Sequence, residues 1–383
     1  MQNLFYYLCA IMFGIYVHIP FCASRCTYCD FYSTLYAEPE RSLYLNAVID
    51  ESSRRCCENK MWLSPAKTLY VGGGTPSQLS PSQLQFLLSG LRNIFDLNHV
   101  EEMTIEVNPD DVTEDAASAW RHMGFNRVSV GVQSLVDAEL NRVNRRHNSS
   151  TALSAIETLQ QAGFDNISVD LIFGLPEQTV TTLAYTVTSL VESGVTHISA
   201  YNLSYEPGTV LWKQREHGMI TQASDELCVE MYHLVSTTLR ENGFEHYEIS
   251  NYAKPGFRSR HNSAYWRFTP YLGLGAGAHG YDGHVRYYNR TDIKGYINGD
   301  VTEVEHLTAR DCYNERIMLG LRTIEGIDLR SMGDALGTDA VDELLAGARS
   351  SVNRGLLEQG DGYLKLTPEA VMVSDNIISE LFK

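Results

Sequence analysis

The chain is short of positive charge. Its 383 residues carry 30 Lys and Arg against 47 Asp and Glu, a formal net charge of -17. Binding to nucleic acid depends on a basic footprint that neutralises phosphates, so no nucleic-acid partner is expected. Cysteine is sparse as well. Eight in a chain of this length do not make a disulfide scaffold. A bilayer-spanning helix needs about 20 mostly apolar residues, and the apolar opening stretch stops short of that at His18. A membrane-spanning protein is therefore not expected. The opening also lacks a basic n-region and an A-x-A cleavage site, so no secretory signal is expected. Residues 1–13 read as an N-terminal tail or a mis-called start, with the folded part beginning near Met12. There is no short-period repeat and no low-complexity segment. A reducing, cytoplasmic setting fits these absences.

What is present is a globular composition, 44% hydrophobic. The length suggests two domains at about 150 residues each, although an α/β barrel can run to about 250 as one unit. From Gly14 to about Ser204, short β-rich runs alternate with amphipathic ones. The strand candidates are "GIYVHI", "KTLYVGG", "EMTIEVN", "RVSVGVQ", "ISVDLIFG" and "HISAYNL". Leu84, Leu87, Leu88, Leu91 and Phe95 share one helical face, and Leu183, Val187, Leu190 and Val191 share another. Strands alternating with helices mean parallel βαβ units. The expected fold is therefore α/β, a partial (β/α)6 barrel over 14–204. Residues 205–305 look irregular apart from a helix around Leu227–Leu239. Residues 306–383 look like helices followed by a hairpin at Gly360–Gly362 and a last helix, a small winged-helix-like module.

The unusual residues fall at strand C-terminal ends, where a parallel barrel places its site. Cys22, Cys26 and Cys29 form a C-x-x-x-C-x-x-C loop after the first strand. Zinc usually takes paired C-x-x-C ligands, whereas three thiolates in one tight loop suit a [4Fe–4S] cube with one iron left free. A zinc loop completed by His18 or Asp30, or three packed cysteines, are the bland alternatives. The second strand ends in "GGGTP", where glycines allow close backbone approach. Glu106, Gln133, Arg145 and Asp170 complete the rim. Cys56 and Cys57 are adjacent on an expected helix and suit no common metal. Cys9, Cys228 and Cys312 are isolated and expected to be buried.

The three-cysteine loop, with Tyr28 before its last cysteine, resembles the radical S-adenosylmethionine (SAM) enzymes, and "GGGTP" resembles that superfamily's element for the SAM amino group. The segments "YVHIPFC", "GGGTP", "GVQS…VNR" and "DLIFGLPEQT", with the small C-terminal domain, resemble one branch of it. That branch holds the oxygen-independent coproporphyrinogen III dehydrogenases and the heme chaperones of the HemW type, and the likeness runs from about Gly14 to the C-terminus. By this resemblance the cluster ligands are Cys22, Cys26 and Cys29, and SAM meets Tyr16, Tyr28, Gly73, Gly74, Thr75, Glu106, Gln133, Arg145 and Asp170. Two features separate the relatives. Phe31 stands where the dehydrogenase pattern has a further cysteine, and "HNSAYW" (His261–Trp266) matches the H-N-x-x-Y-W element associated with heme in the chaperones. The resemblance thus implies heme contacts at His261, Asn262, Tyr265 and Trp266, with His279 as a second candidate ligand and Arg258, Arg260 and Arg267 near propionates. An imidazole is the commonest axial ligand of heme iron. The implied function is heme binding and delivery to an acceptor protein, for which the family suggests the respiratory chain, with transient contact at the inner membrane surface. The alternatives are radical decarboxylation of coproporphyrinogen III, or a barrel whose cluster is purely structural.

Overall fold

The six expected strands form, in a computed structural model that describes residues 13–35, 38–299 and 302–383. They are β1 (Phe13–Ile19), β2 (Ala66–Gly73), β3 (Glu102–Val107), β4 (Arg127–Gln133), β5 (Asn166–Phe173) and β6 (His197–Asn202), parallel and adjacent in chain order. Between them run α1 (Glu38–Glu58), α2 (Pro81–Ile94), α3 (Glu114–Met123), α4 (Asp137–Arg142), α5 (Ser149–Gln161) and α6 (Val180–Glu192). Local signals start these helices. Ser80 and Gln83 make a reciprocal capping box at α2, behind Pro81, and Thr179 and Thr182 do the same at α6. The leucines at positions 84, 87, 88 and 91 and the 183/187/190 stripe are buried against the sheet. The partial (β/α)6 barrel is the architecture expected above.

The strands alternate in character as well as in direction. Ile15, Val17, Leu69, Val71, Ile105, Val128, Val130, Val169 and Ile198 face the helices and build the main core. The residues between them (Tyr16, Tyr70, Glu106, Arg127, Ser129, Asp170, Ser199) line a cavity inside the barrel. Strands of a parallel sheet buried on both faces usually read as continuous apolar runs; here the inner face is polar.

The described residues between 205 and 305 form more regular elements than their sequence suggested. After α7 (Val210–Glu216) and α8 (Asp225–Glu241) come β7 (Glu245–Glu248) and β8 (Asn251–Ala253), which extend the sheet antiparallel beyond β6. Then α9 (Arg260–Trp266) precedes β9 (Tyr271–Leu274), which pairs parallel with β1 on the opposite side. β10 (His279–Tyr281), β11 (Val285–Tyr288) and, after α10 (Ile293–Ile297), β12 (Glu303–His306) continue that edge. These strands have three or four residues each, too few for a period-two pattern to stand out.

The last unit comprises α11 (Ala309–Leu321), β13 (Ile327–Asp328), α12 (Leu329–Leu336), α13 (Thr338–Asn353), β14 (Leu357–Gly360), β15 (Tyr363–Leu366) and α14 (Ser374–Glu380). Its sheet runs β13-β15-β14, antiparallel. Asp361 and Gly362 both have positive φ, at 52° and 84°, the backbone of a tight hairpin turn. Its core, including Ile317, Leu344, Leu357, Leu364 and Ile377, is separate from that of the barrel. Arg322 ties the two together through Glu248, at 3.0 Å. Cys56 is buried and Cys57 exposed on α1, and Cys228 is buried on α8. Cys312 is only half-buried, a correction to the expectation, because it sits in the polar first half of α11. Cys9 lies outside the described residues. Among those residues no helix is long and apolar enough to cross a membrane.

The glycines ending β2 are sterically required. Gly73 has φ +113°, and a methyl there would lie 2.6 Å from the His18 ring. A methyl on Gly74 would lie 2.9 Å from both the Ile19 carbonyl oxygen and the Pro20 carbonyl carbon, and the Gly74 N–H donates to that same Ile19 oxygen at 2.8 Å. Backbone cannot yield as a flexible side chain can. Gly74→Ala is expected to destabilise the fold by about 1–3 kcal/mol in thermal unfolding. Gly360→Ala, whose methyl meets nothing within 4 Å, should stay within about 0.5 kcal/mol. Equal stability of the two variants would contradict this packing.

Candidate functional site

The strand C-terminal ends open onto the inner cavity, which has a volume of about 410 Å³. The cysteine loop forms one wall. It is closed at its base by Cys22 N–H donating to the Thr34 carbonyl at 3.0 Å and Thr34 N–H to the Pro20 carbonyl at 2.7 Å. Its far side is pinned by Thr27 N–H to Val143 O and by Leu211 N–H to Thr27 O. The thiols of Cys22, Cys26 and Cys29 are half-buried, and all three residues line the cavity. Thr75 Oγ1 lies 3.4 Å from Cys22 Sγ, and Arg145 Nη1 donates to Cys26 Sγ at 3.3 Å. Among the described residues no three His, Cys, Asp or Glu side chains converge on a single-ion position. Phe31 is 65% exposed at the cavity mouth.

Every residue expected to meet SAM lines this one cavity: Tyr16, Tyr28, Gly73, Gly74, Thr75, Glu106, Gln133, Arg145 and Asp170. Glu106 accepts from the Tyr70 hydroxyl at 2.7 Å and the Gly73 N–H at 2.9 Å. Burial pushes its carboxyl up to about 7 despite those donors. Asp170 is likewise pushed up to about 6 by burial, against hydrogen bonds from Ser199 and Ser129. Arg145 also donates to Asn108 Oδ1 at 2.9 Å and to the Gly131 carbonyl at 2.5 Å. Gln133 carries φ +68° at a register break between β4 and β5. A bulge of this kind re-aims a side chain at the end of a strand. Tyr70, Asn108, Arg127, Ser129, Ser199 and Tyr201 line the cavity too and were not anticipated. The period-two alternation of polar residues within the strand candidates was the signal that would have found most of them.

The HNSAYW element spreads its side chains over several surroundings. It is α9, which reaches the barrel interior. His261 is 1% exposed, and both ring nitrogens are engaged, Nδ1 with Thr68 Oγ1 and Nε2 with the Tyr265 hydroxyl, each at 2.7 Å. Its ring stacks on Tyr70 at 5.1 Å, and burial lowers its pKa to about 3. The ring offers no free nitrogen to an iron in this arrangement. Asn262 lines the main cavity, whereas Trp266 lines a second one of about 370 Å³ against the C-terminal unit, together with Arg258 and Arg267. Arg258 is held there by Glu245 and Glu325. Arg260 pairs with Glu101 outside both cavities, and His279 stacks on Tyr288, also outside both.

Residues 16–190 match the Radical SAM superfamily and residues 307–373 match the HemN C-terminal domain. The chain is 35% identical to the heme chaperone HemW of Lactococcus lactis subsp. lactis (strain IL1403), covering 82% of each chain. It is 31% identical to that of Bacillus subtilis (strain 168), over 96% of this chain and 98% of the relative. The chain belongs to the HemW family. The HemW-family fold is also close to the solved structure of coproporphyrinogen III oxidase (HemN) from Escherichia coli. The TM-score is 0.84 at 23% identity, covering all of this chain and 93% of that one.

The raised Glu106 pKa has a definite sign for stability. A carboxyl that holds its proton more tightly when folded contributes stability at low pH, which is lost as pH rises from about 4.5 through about 7. Glu106→Gln removes that dependence. Between pH 5 and pH 8 the variant should gain on the parent by at most about 3 kcal/mol, read from urea unfolding of the metal-free chain. Parallel pH profiles would contradict it.

Proposed function

We propose that this chain is a heme carrier. It binds heme and passes it to an acceptor protein, with a [4Fe–4S] cluster on Cys22, Cys26 and Cys29 and SAM as the exchangeable ligand. The observation that carries the reading is the HNSAYW element, in a chain whose further cysteine position holds the exposed Phe31. The name heme chaperone, borne by the HemW relatives, supports it. Three half-buried thiols that share a cavity wall suit a cube, which takes each thiolate on a different iron. When bound, the cluster supplies one open iron for the amine and carboxylate of SAM, and one electron. The protein's own part is to hold Cys22 beside Thr75 and Cys26 beside Arg145, and to offer Glu106 to ribose hydroxyls.

In this reading 14–204 holds the cluster and SAM, 205–305 supplies the heme element, and 306–383 is a lid or docking unit. We place the carrier in the cytoplasm, with a respiratory acceptor and transient contact at the membrane surface. His261 serves as heme ligand only after α9 withdraws it from Thr68 and Tyr265.

The rival reading is decarboxylation of coproporphyrinogen III, favoured by the overall likeness to the Escherichia coli oxidase. Both share the cluster, so the deciding assay offers the anaerobically reconstituted chain heme and coproporphyrinogen III separately. Stoichiometric heme binding without SAM-dependent turnover is expected; robust turnover would sink the carrier reading. His261→Ala should weaken heme binding and shift the Soret band. An unchanged spectrum and affinity would remove His261 and leave His279.

A further inference from the structure

The cavity continues past the positions assigned to SAM. Its floor reaches Arg127, the first residue of β4, which lies about 20 Å of strand below Gln133 at the other end. Arg127 is 1% exposed, and its Nε and Nη1 are enclosed with no hydrogen-bond partner. The acids whose charges act on it are engaged elsewhere. Glu102 accepts the backbone N–H groups of Arg260 at 2.8 Å and His261 at 2.9 Å, capping α9, and Asp170 is bound by Ser199 and Ser129. A second polar group, half-buried Asn262, lines the same cavity. The backbone N–H of Asn262 donates to Ser259 Oγ at 3.3 Å, but its carboxamide makes no hydrogen bond to a described residue.

A buried guanidinium without hydrogen bonds is costly unless something completes it. Its planar fork matches a carboxylate through two parallel bonds, and the Asn262 amide on the same cavity is a candidate third donor. The acids lining the cavity limit the guest to a single negative charge, since a phosphate dianion would meet Glu106 and Asp170. The carboxylate of SAM is assigned to the cluster end of the cavity, away from this floor. We propose that the barrel floor is a carboxylate-binding site, in which Arg127 and Asn262 receive the carboxylate of a monoanionic ligand, or of a ligand arm, that enters past the cysteine loop. The proposal does not depend on cluster, SAM or heme. It gives Asn262 a carboxylate partner inside the barrel.

Propionate is the probe, with propionamide as its neutral isostere. Each is titrated by calorimetry into the full-length chain, before and after cluster reconstitution. Saturable propionate binding is expected, with propionamide about tenfold weaker or worse, as the loss of a charge-assisted bond implies. Arg127→Gln should weaken propionate by about tenfold or more, and Asn262→Ala by about threefold, with circular dichroism unchanged. No saturable binding, equal affinity for the two probes, or a folded Arg127→Gln variant that binds propionate normally would overturn the site and leave water on the floor. Should Arg127→Gln fail to fold, the probe pair on the parent and on Asn262→Ala decides alone.

Heme and heme dimethyl ester then identify the source of the carboxylate. If it is a porphyrin arm, Arg127→Gln weakens heme but not the diester. If it is a free small acid, both porphyrins bind the variant as they bind the parent, while propionate is lost. A chain that binds propionate in this manner but never binds heme would keep the site and remove the carrier reading, so the two fail separately.

Discussion

The alternation of the six parallel strands governs both the fold and the site. One face of each strand is apolar and buried by helices; the other carries Tyr16, Tyr70, Glu106, Arg127, Ser129 and Asp170 into a shared interior. A slip of one residue in any strand would exchange the faces. Valines would then fill the interior, and an arginine or an aspartate would be pressed against α-helices with nothing to bind it. Register is therefore held from both sides at once. The raised carboxyls of Glu106 and Asp170 are the cost of a polar interior, and the continuous helix-on-sheet core offsets it.

Much of this was legible in the chain. The six βαβ units, the helix stripes, the hairpin at Gly360–Gly362 and the rim position of the cysteine loop follow from period and spacing alone. The residues expected around SAM share one cavity because strand ends in a parallel barrel necessarily converge. Less legible were β7 to β12, too short to display a period, and the inner polar row. Ser129 and Ser199 look like ordinary strand positions until the sheet curls and sets them on either side of Asp170. The HNSAYW element was the hardest to place. A hexapeptide shows which side chains are available, but not that the helix bearing them enters the barrel, where His261 finds Thr68 and Tyr265.

That placement gives α9 several connections. Its start is capped by Glu102 of β3, its histidine meets β2, its asparagine lines the main cavity, and its tryptophan faces the C-terminal unit beneath the guanidinium of Arg322. Arg322 is also the residue that binds Glu248 at the barrel edge. A displacement of α9 would therefore disturb contacts at the barrel interior and at the small domain together.

The contact between Gly74 and the Ile19–Pro20 backbone bears on how this site can be moved between proteins. The cysteine loop takes its shape from its own closing bonds at Thr34 and from three outside supports: the terminal turn of β2, Val143 and Leu211. Residues 20–34 grafted onto another parallel sheet would carry the thiols without their spacing. The loop and the glycine triplet must be inherited, or transplanted, as one unit, and the supports at Val143 and Leu211 must come with them.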